Sequence, residues 1–386
     1  MRVLFVDDEP RVLEAIERTL FQLDLDWEVS FAEGGPAALL ELEQAHFDVI
    51  VSDMRMPGMD GAALLTLVCE KYPHIARIVL SGQTDEAAAF RVVRVAHQFL
   101  TKPSSSETIR QVIERTRELK SWISEEHCQA AVGRLDRLPS TPRLFAELSR
   151  ALEDETASAD TVAAIVRQDP AMSSKVLQIV NSSFFSSGSS VSDVRAAVVR
   201  LGMKTIRNLA LGVGAFDSLA KLDADAARAV EAIQHRALAI AQLASRIARG
   251  RADADAAFMA GLVCDVGELI SVTTPAAAPG DPSAAPGNPS AALGGPSAAP
   301  GGPSTLTHAE LGAFLLGLWG LPFPIVEAVA NHHAPRRNAH DRLGLPQIVW
   351  LASCLVHGEH PDADYLKQIG ASELLPEFES MLHDDR

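Results

Sequence analysis

The stretch from Val49 to Gly61, which reads VIVSDMRMPGMDG, constrains the fold more than any other part of the sequence. It begins with an apolar run that ends on one carboxylate, Asp53, and the Pro57-Gly58 pair then turns the backbone. This pattern predicts a buried strand with Asp53 at its carboxyl end. Open parallel sheets bind their ligands at that end of the strands, so we expect the chemistry of this region to lie around Asp53.

Three further apolar runs also end on polar side chains, and the residues that follow them are Asp7 and Asp8, Ser81, and Lys102. Crowded carboxylates repel one another, and a divalent cation with oxygen ligands, most simply Mg²⁺, would offset that repulsion. Such an ion, together with a lysine and a hydroxyl, suits in-line phosphoryl transfer onto Asp53. The alternative is a capped strand end whose ion pair has no chemical role.

Strands alternate with helical stretches from Arg2 to about Glu118, for example Pro10–Leu23 and Gly61–Tyr72. This alternation is typical of a doubly wound α/β domain. We therefore predict a five-stranded parallel sheet with flanking helices for residues 1–118.

Residues 1 to about 120 resemble a two-component receiver domain, and the motifs that carry the resemblance are Asp7-Asp8, Asp53, Ser81, Lys102-Pro103 and the Met56-Pro57-Gly58 turn. The resemblance implies that Asp53 is the phosphoacceptor. It also implies that Asp8 and Asp53 hold Mg²⁺ with help from Asp7, and that the backbone carbonyl of Arg55 completes the protein ligands.

By the same resemblance, Ser81 and Lys102 contact the phosphoryl group, and Phe99 is the aromatic switch that turns inward on phosphorylation. The phosphoryl donor would be a cognate sensor histidine kinase. Movement of Ser81 and Phe99 would then shift the surface around the last strand, and with it the chain that follows.

The totals limit the classes of function. A chain of 386 residues is long enough for two or three domains. The formal net charge of −16 argues against a broad electrostatic grip on nucleic acid. No apolar stretch approaches the roughly 20 residues of a membrane helix, and the start of the sequence reads as a strand, not as a signal peptide. We therefore expect a cytoplasmic protein with no membrane partner.

The cysteines do not predict a disulfide framework or a zinc knuckle. The chain has four of them, they are widely scattered, and none forms a CxxC pair: Cys69, Cys128, Cys264 and Cys354.

A polar, helix-favouring segment covers residues 104–134 and carries one stripe with alternating spacings of three and four: Ile109, Val112, Thr116, Leu119, Ile123, Glu126 and Ala130. The spacing predicts one long helix whose second half, residues 119–136, is a linker that could pair in a homodimer. The alternative for the first half is that it packs on the sheet of its own domain.

The sequence Leu138-Pro139-Ser140-Thr141-Pro142 ends that helix. The amphipathic segments that follow show almost no strand pattern, so residues 137–335 are predicted to form an all-α domain, with a helical extension at 336–386. Residues 275–304 interrupt it with the near copies GDPSAAP, GNPSAAL and GGPSAAP. Such a composition buries too little apolar surface to offset its ordering entropy, so we predict a disordered insertion.

Five residues of the helical half are candidate metal ligands: His235, Asp265, His308, His332 and His333. The surrounding sequence resembles the HD-related output domain, HDOD, in these motifs: Leu138-Pro139 with Pro142, Gln168-Asp169-Pro170, Val180-Asn181-Ser182, Val198–Gly202, Gly261–Gly267, and Gly312–Pro322 followed by His332-His333. That family is an offshoot of the HD superfamily of metal-dependent phosphohydrolases, whose sites use several histidines, a His-Asp pair and a late aspartate.

Two positions depart from the hydrolase pattern. Cys264 stands before Asp265 in place of the histidine, and Ser353 stands where the late aspartate would fall. Cysteine is a softer ligand, and the loss of two ligands should cripple a site that must clamp two ions. The Gly-Tyr-Pro signature of one class of cyclic di-GMP phosphodiesterase is also absent. The candidates are therefore interpreted as residual core polar residues, with no cofactor expected in this domain.

These inferences predict a response regulator whose non-catalytic output domain acts by protein contact. The resemblance implies a downstream protein, often in networks that involve cyclic di-GMP. The alternative is a metal-dependent phosphohydrolase that acts on a nucleotide or cyclic dinucleotide.

Overall fold

The computed structural model describes residues 1–21, 25–82, 92, 95–123, 126–135, 138–154, 156–182, 185, 190–212, 223–273, 307–335 and 342–383. The chain divides into two compact units. The first comprises Met1–Arg137, Gln178–Ser189 and Leu318–Gly320, and the second comprises Leu138–Leu177, Ser190–Gly317 and Leu321–Arg386. The domain boundaries predicted at residues 118, 136 and 335 stay predictions.

A five-stranded sheet forms the centre of the first unit. Its strands are β1 (Arg2–Asp7), β2 (Glu28–Glu33), β3 (Val49–Asp53), β4 (Ala76–Gly82) and β5 (Gln98–Lys102). All pairings are parallel, and the order is β2-β1-β3-β4-β5. Every residue of β3 is buried, as expected for a central strand with helices on both faces. The predicted doubly wound α/β fold is confirmed.

The described helices of the first unit are α1 (Pro10–Phe21), α2 (Gly35–Gln44), α3 (Gly61–Lys71), α4 (Ser106–Trp122) and α5 (Glu126–Gly133). The helix α1 ends two residues and α3 one residue earlier than the sequence pattern indicates. Most of the chain between β4 and β5 lies outside the described residues.

The prediction of one continuous helix over residues 104–134 is wrong. The helix α4 ends at Trp122 because Ile123 adopts an extended backbone, with φ −119° and ψ 98°, and buries its side chain completely. The Gln129 side-chain amide of α5 donates a hydrogen bond of 2.6 Å to the carbonyl oxygen of Ile123, which satisfies that oxygen at the break. Within α4, Ile109 and Leu119 are buried and the helix contacts α1, so this half packs in its own domain.

Arg77 of β4 is a buried cation that ties α5 to the sheet. Its guanidinium donates hydrogen bonds to the carbonyl oxygens of Val95 at 2.5 Å, Ile75 at 3.2 Å and Gly133 at 2.6 Å. Burial lowers the pKa of Arg77 to about 10, so the side chain stays charged at neutral pH. Gly133 ends α5 against the backbone, since a Cβ atom there would lie 1.8 Å from the carbonyl oxygen of Pro73.

Helices make up the described part of the second unit. In chain order they are α6 (Pro142–Glu153), α7 (Ala159–Val166), α8 (Pro170–Asn181), α9 (Val194–Arg207), α10 (Ala224–Ala248), α11 (Ala254–Val263), α12 (Val266–Thr273), α13 (His308–Leu318), α14 (Phe323–Asn331), α15 (Leu345–His357), α16 (Ala363–Gln368) and α17 (Leu375–His383). The predicted all-α architecture is confirmed. Among the residues that the structure describes, no helix is both long enough and apolar enough to cross a bilayer.

The core of this unit forms around α10 and α11. The helix α10 buries one stripe that includes Val230, Ile233 and Ala237, while every residue from Ala256 to Val263 of α11 is buried. A helix that is apolar all round belongs in the interior, and α11 indeed packs against α10, α14 and α15. The predicted insertion at 275–304 lies between α12 and α13, outside the described residues.

Candidate functional site

The parallel register brings the predicted receiver residues to one edge of the sheet. Asp7 and Asp53 end neighbouring strands β1 and β3, and Asp53 pairs with Leu80 of β4. Ser81 is therefore one residue beyond Asp53 on the next strand, and Lys102 ends β5 beside it. The carboxyl ends of four strands meet here, as the sequence predicts.

Lys102 joins the two acidic strand ends. Its Nζ atom lies 2.6 Å from Asp7 Oδ2 and also contacts Asp53 Oδ1. The other carboxylate oxygens accept backbone N–H groups, from Arg55 to Asp53 Oδ2 at 2.7 Å and from Glu9 to Asp7 Oδ1 at 3.0 Å. Partial burial of Lys102 lowers the pKa of its ammonium, but the contacts with Asp53 and Asp7 outweigh this effect and raise the pKa above its ordinary value.

The turn after β3 returns the chain directly over Asp53. Asp60 caps α3 by accepting the N–H of Ala63 at 2.9 Å, and the N–H of Gly61 donates to the carbonyl oxygen of Met54 at 3.0 Å. A Cβ atom at Gly61 would lie 2.2 Å from the carbonyl oxygen of Asp53. Glycine is therefore required for this close approach.

The remaining receiver residues lie in graded burial around this centre. Asp8 is half-buried and follows β1, and Ser81 is buried with its hydroxyl donating to the carbonyl oxygen of Gly82 at 3.3 Å. Phe99, the predicted switch, is buried in this structure. The side chain of Arg55 is exposed. The donor set consists of carboxylate and carbonyl oxygens, and it fits Mg²⁺, which is a hard cation.

A second cluster lies in the helical unit. One ligand atom from each of Asp265, His308, His332 and His333 lies within 4.8 Å of all the others. The Nε2 atom of His308 is 3.3 Å from His332 Nε2 and 3.0 Å from His333 Nε2, and Asp265 Oδ1 is 3.4 Å from His332 Nε2. Four of the five predicted candidates therefore converge.

Two local features bring distant parts of the chain to this cluster. Thr307 and Glu310 form a reciprocal capping pair, in which the Thr307 N–H donates to Glu310 Oε2 and the Glu310 N–H donates to Thr307 Oγ1, so that α13 begins at His308. Gly267 of α12 then lies directly against the backbone of His308, since a Cβ atom would be 1.9 Å from its carbonyl oxygen. Asp265, two residues before Gly267, thus lies beside His308.

Arg236 neutralises the acidic side of the cluster. It donates from Nε to Asp265 Oδ2 at 2.9 Å and also binds Glu268. Burial raises the pKa of Asp265, but its contacts with His332 and Arg236 outweigh that effect and hold the pKa well below the ordinary value. Asp265 is therefore a buried, ionised carboxylate.

The histidines of the cluster favour the neutral form. Burial, followed by the neighbouring His332, lowers the pKa of His308 to about 4 and that of His333 to about 3. Neutral imidazoles at pH 7 carry the lone pairs that metal ions bind.

Three predicted positions of the hydrolase pattern stand apart. His235 is exposed on α10 and is not one of the four clustered residues. The thiol of Cys264 donates to the carbonyl oxygen of Gly261 at 3.1 Å, and burial raises its pKa well above the ordinary value. Ser353 Oγ lies 3.4 Å from Nδ1 of His357.

Sequence reasoning missed Arg236 and Glu268, which hold Asp265. The signal that could have found Arg236 is its place one residue after His235. On a helix that single step rotates a side chain to a different face.

Two family comparisons agree with this geometry. The HDOD domain family matches residues 138–335, which is more than half of the chain. The chain belongs to the HDOD domain family. The response regulator receiver domain family matches residues 3–114, so the first domain is a receiver. The predicted combination of a receiver and an HDOD domain is confirmed.

Similar proteins cover parts of the chain. An uncharacterized protein of Treponema pallidum is 26% identical over 228 residues, which are 58% of this chain and 43% of that protein. The hydrogenase transcriptional regulatory protein HoxA of Cupriavidus necator is 39% identical over 118 residues, 29% of this chain and 24% of that protein. The chain thus spans less than half the length of these curated relatives. The crystal structure of the signal receiver domain of an HD domain-containing protein from Pseudomonas fluorescens is 25% identical, covers 32% of this chain and 98% of its own, and has a TM-score of 0.30.

Proposed function

We propose that this HDOD protein is a response regulator whose Asp53 accepts a phosphoryl group from a sensor histidine kinase. The receiver domain supports a role in two-component signalling. The observation that carries the finer proposal is the position of Lys102, whose ammonium contacts both Asp7 and Asp53 at the carboxyl edge of the sheet. A cation already neutralises the place where an anionic group would arrive.

Asp7, Asp8 and Asp53, with the backbone carbonyl of Arg55, would hold Mg²⁺. When bound, the ion supplies charge neutralisation for the phosphoryl oxygens. A carboxylate oxygen of Asp53 attacks the phosphorus in line, and the phosphorus–nitrogen bond of the phosphohistidine breaks with its electron pair leaving on the imidazole. Lys102 then pairs with a phosphoryl oxygen in place of one carboxylate.

The signal would leave the active site through Ser81 and Phe99 on β4 and β5. Arg77 lies on the same strand as Ser81 and binds the end of α5, so the strand and the linker are mechanically joined. We propose that the HDOD domain responds by changing its contacts with a downstream protein in the cytoplasm, in a network that involves cyclic di-GMP, and that the linker contributes to a homodimer. Nucleic acid is a poor partner for a chain with net charge −16.

Labelling by acetyl phosphate in the presence of Mg²⁺ tests the phosphoacceptor. Asp53→Asn removes the nucleophile but keeps the shape, so labelling should fall to background. The matched control is Asp60→Asn, seven residues on, since asparagine can still cap α3. Mass spectrometry of the intact protein reads the added phosphoryl mass. Labelling that persists in Asp53→Asn would sink the assignment.

The second candidate function is metal-dependent phosphohydrolysis, and the four converging ligands favour it. Hydrolysis by two ions needs a carboxylate or other group that bridges them. Asp265 cannot serve both, because its Oδ2 atom is engaged by Arg236. We therefore propose a non-catalytic output domain and expect no hydrolysis of cyclic dinucleotides with Mn²⁺. Turnover that Asp265→Asn abolishes would establish the enzyme instead.

A further inference from the structure

The spacing within the second cluster matches a coordination shell. Ligand atoms about 2.0–2.1 Å from a tetrahedral ion lie about 3.3 Å from one another. Of the four contacts in the cluster, His308 Nε2 makes those to His333 Nε2 at 3.0 Å, to His332 Nε2 at 3.3 Å and to Asp265 Oδ1 at 3.7 Å. The fourth, between His332 Nε2 and Asp265 Oδ1, is 3.4 Å.

Hydrogen bonds alone do not satisfy these atoms. His332 Nδ1 lies 2.6 Å from the carbonyl oxygen of Val329, which requires a proton on Nδ1 and leaves Nε2 of the neutral ring as an acceptor. Asp265 Oδ1 is also an acceptor. A single N–H at Nε2 of His308 can serve only one of the three groups that face it. The cluster therefore holds more lone pairs than protons, and a cation among them removes the deficit.

We propose that Asp265, His308, His332 and His333 bind one divalent transition-metal ion of the Zn²⁺ class. Three imidazoles and one carboxylate form a nitrogen-rich set that suits Zn²⁺ better than Mg²⁺ or Ca²⁺. The site takes a single ion, because Arg236 occupies the second oxygen of Asp265. The Val329 contact orients the His332 ring in the manner usual for ligating histidines.

The surroundings give the ion an access route. His332 and Asp265 are almost fully buried, whereas His333 is exposed and His308 keeps about a quarter of its side chain accessible, 23%. An ion can therefore reach the buried pair from the side of His333. Four protein ligands with no free position are typical of structural sites rather than catalytic ones.

The proposed ion would join segments that are far apart in sequence. Asp265 precedes α12 and His308 begins α13, so residues 274–306, which contain the repeat, lie between two ligands. A metal that binds the folded but not the unfolded chain stabilises the fold. This role goes beyond phosphorylation of Asp53 and does not depend on it.

The test uses the tag-free full chain with excess Mg²⁺, which keeps the receiver carboxylates occupied. After Zn²⁺ loading and desalting, elemental analysis should find one zinc per chain. Loading with Co²⁺ should give the intense visible absorption of a tetrahedral site. His333→Ala removes an exposed ligand without opening a buried cavity and should weaken Zn²⁺ binding at least about tenfold. The matched control, His235→Ala on α10, should bind like the wild type.

Substoichiometric zinc in the wild type would overturn the proposal, and so would equal affinity in the wild type and His333→Ala. Circular dichroism of each metal-free variant verifies that the fold is retained, and a conservative second variant, His308→Gln, must show the same loss. Acetyl phosphate labelling of His333→Ala separates this proposal from the proposed function. Failure of zinc binding with intact labelling removes the metal site alone.

Discussion

Replacement of Arg77 by methionine should destabilise the receiver domain and release α5. The methionine side chain fills much of the same volume but donates no hydrogen bond. It leaves the carbonyl oxygens of Val95, Ile75 and Gly133 without the donor that now lies 2.5–3.2 Å away. The loss is therefore one of polar contacts rather than of packing.

The magnitude follows from two opposing effects. Each buried carbonyl left without a donor costs about 1–3 kcal/mol, so three of them lower the free energy of unfolding by roughly 3–9 kcal/mol before relaxation. Removal of the buried charge returns several kcal/mol of desolvation cost. We expect a net loss of about 3–5 kcal/mol, which is large for a single substitution.

Urea unfolding, followed by hydrogen exchange with mass spectrometry, measures both consequences. The midpoint of Arg77→Met should fall well below the wild type, and the amides of α5 should exchange at least about tenfold faster. The matched control is Arg110→Met, the same change at an exposed position of α4 that pairs with Glu107, and it should leave the midpoint unchanged. Equal midpoints for the two variants would refute the view that Arg77 anchors the linker.

Two further predictions concern the same domain. Burial raises the pKa of Asp48, but Lys120 and the N–H of Arg2 outweigh it and lower the net pKa, so Asp48 stabilises the fold above its ordinary pKa of about 4 and this contribution is lost as the pH falls through the lowered value. Asp48→Asn should therefore flatten the acid limb of stability, measured as urea midpoints between about pH 3 and 7; an unchanged limb would contradict the linkage. Gly61→Ala should cost about 1–3 kcal/mol and slow acetyl phosphate labelling, because its Cβ atom would lie 2.2 Å from the carbonyl oxygen of Asp53. Normal labelling kinetics in this variant would show that the turn does not position Asp53.

The sequence alone determined the receiver and its site because both depend on local signals. Each apolar run that ends on Asp7, Asp53 or Lys102 specifies a buried strand and a polar end, and parallel pairing leaves those ends only one place to meet. The helical character of the second half followed in the same way from periodicity.

Only the tertiary structure decided how α4 and α5 are separated and which polar residues of the helical domain meet. A three-and-four spacing runs through Ile123, but burial of that side chain turns the backbone out of the helix, and this burial depends on partners distant in sequence. Likewise, His235 has the expected residue type and the wrong face of α10, whereas Arg236 reaches Asp265. Residue type is written in the sequence, but the direction of a side chain and its distance from a partner depend on packing, and those two quantities determine whether four ligands can share one ion.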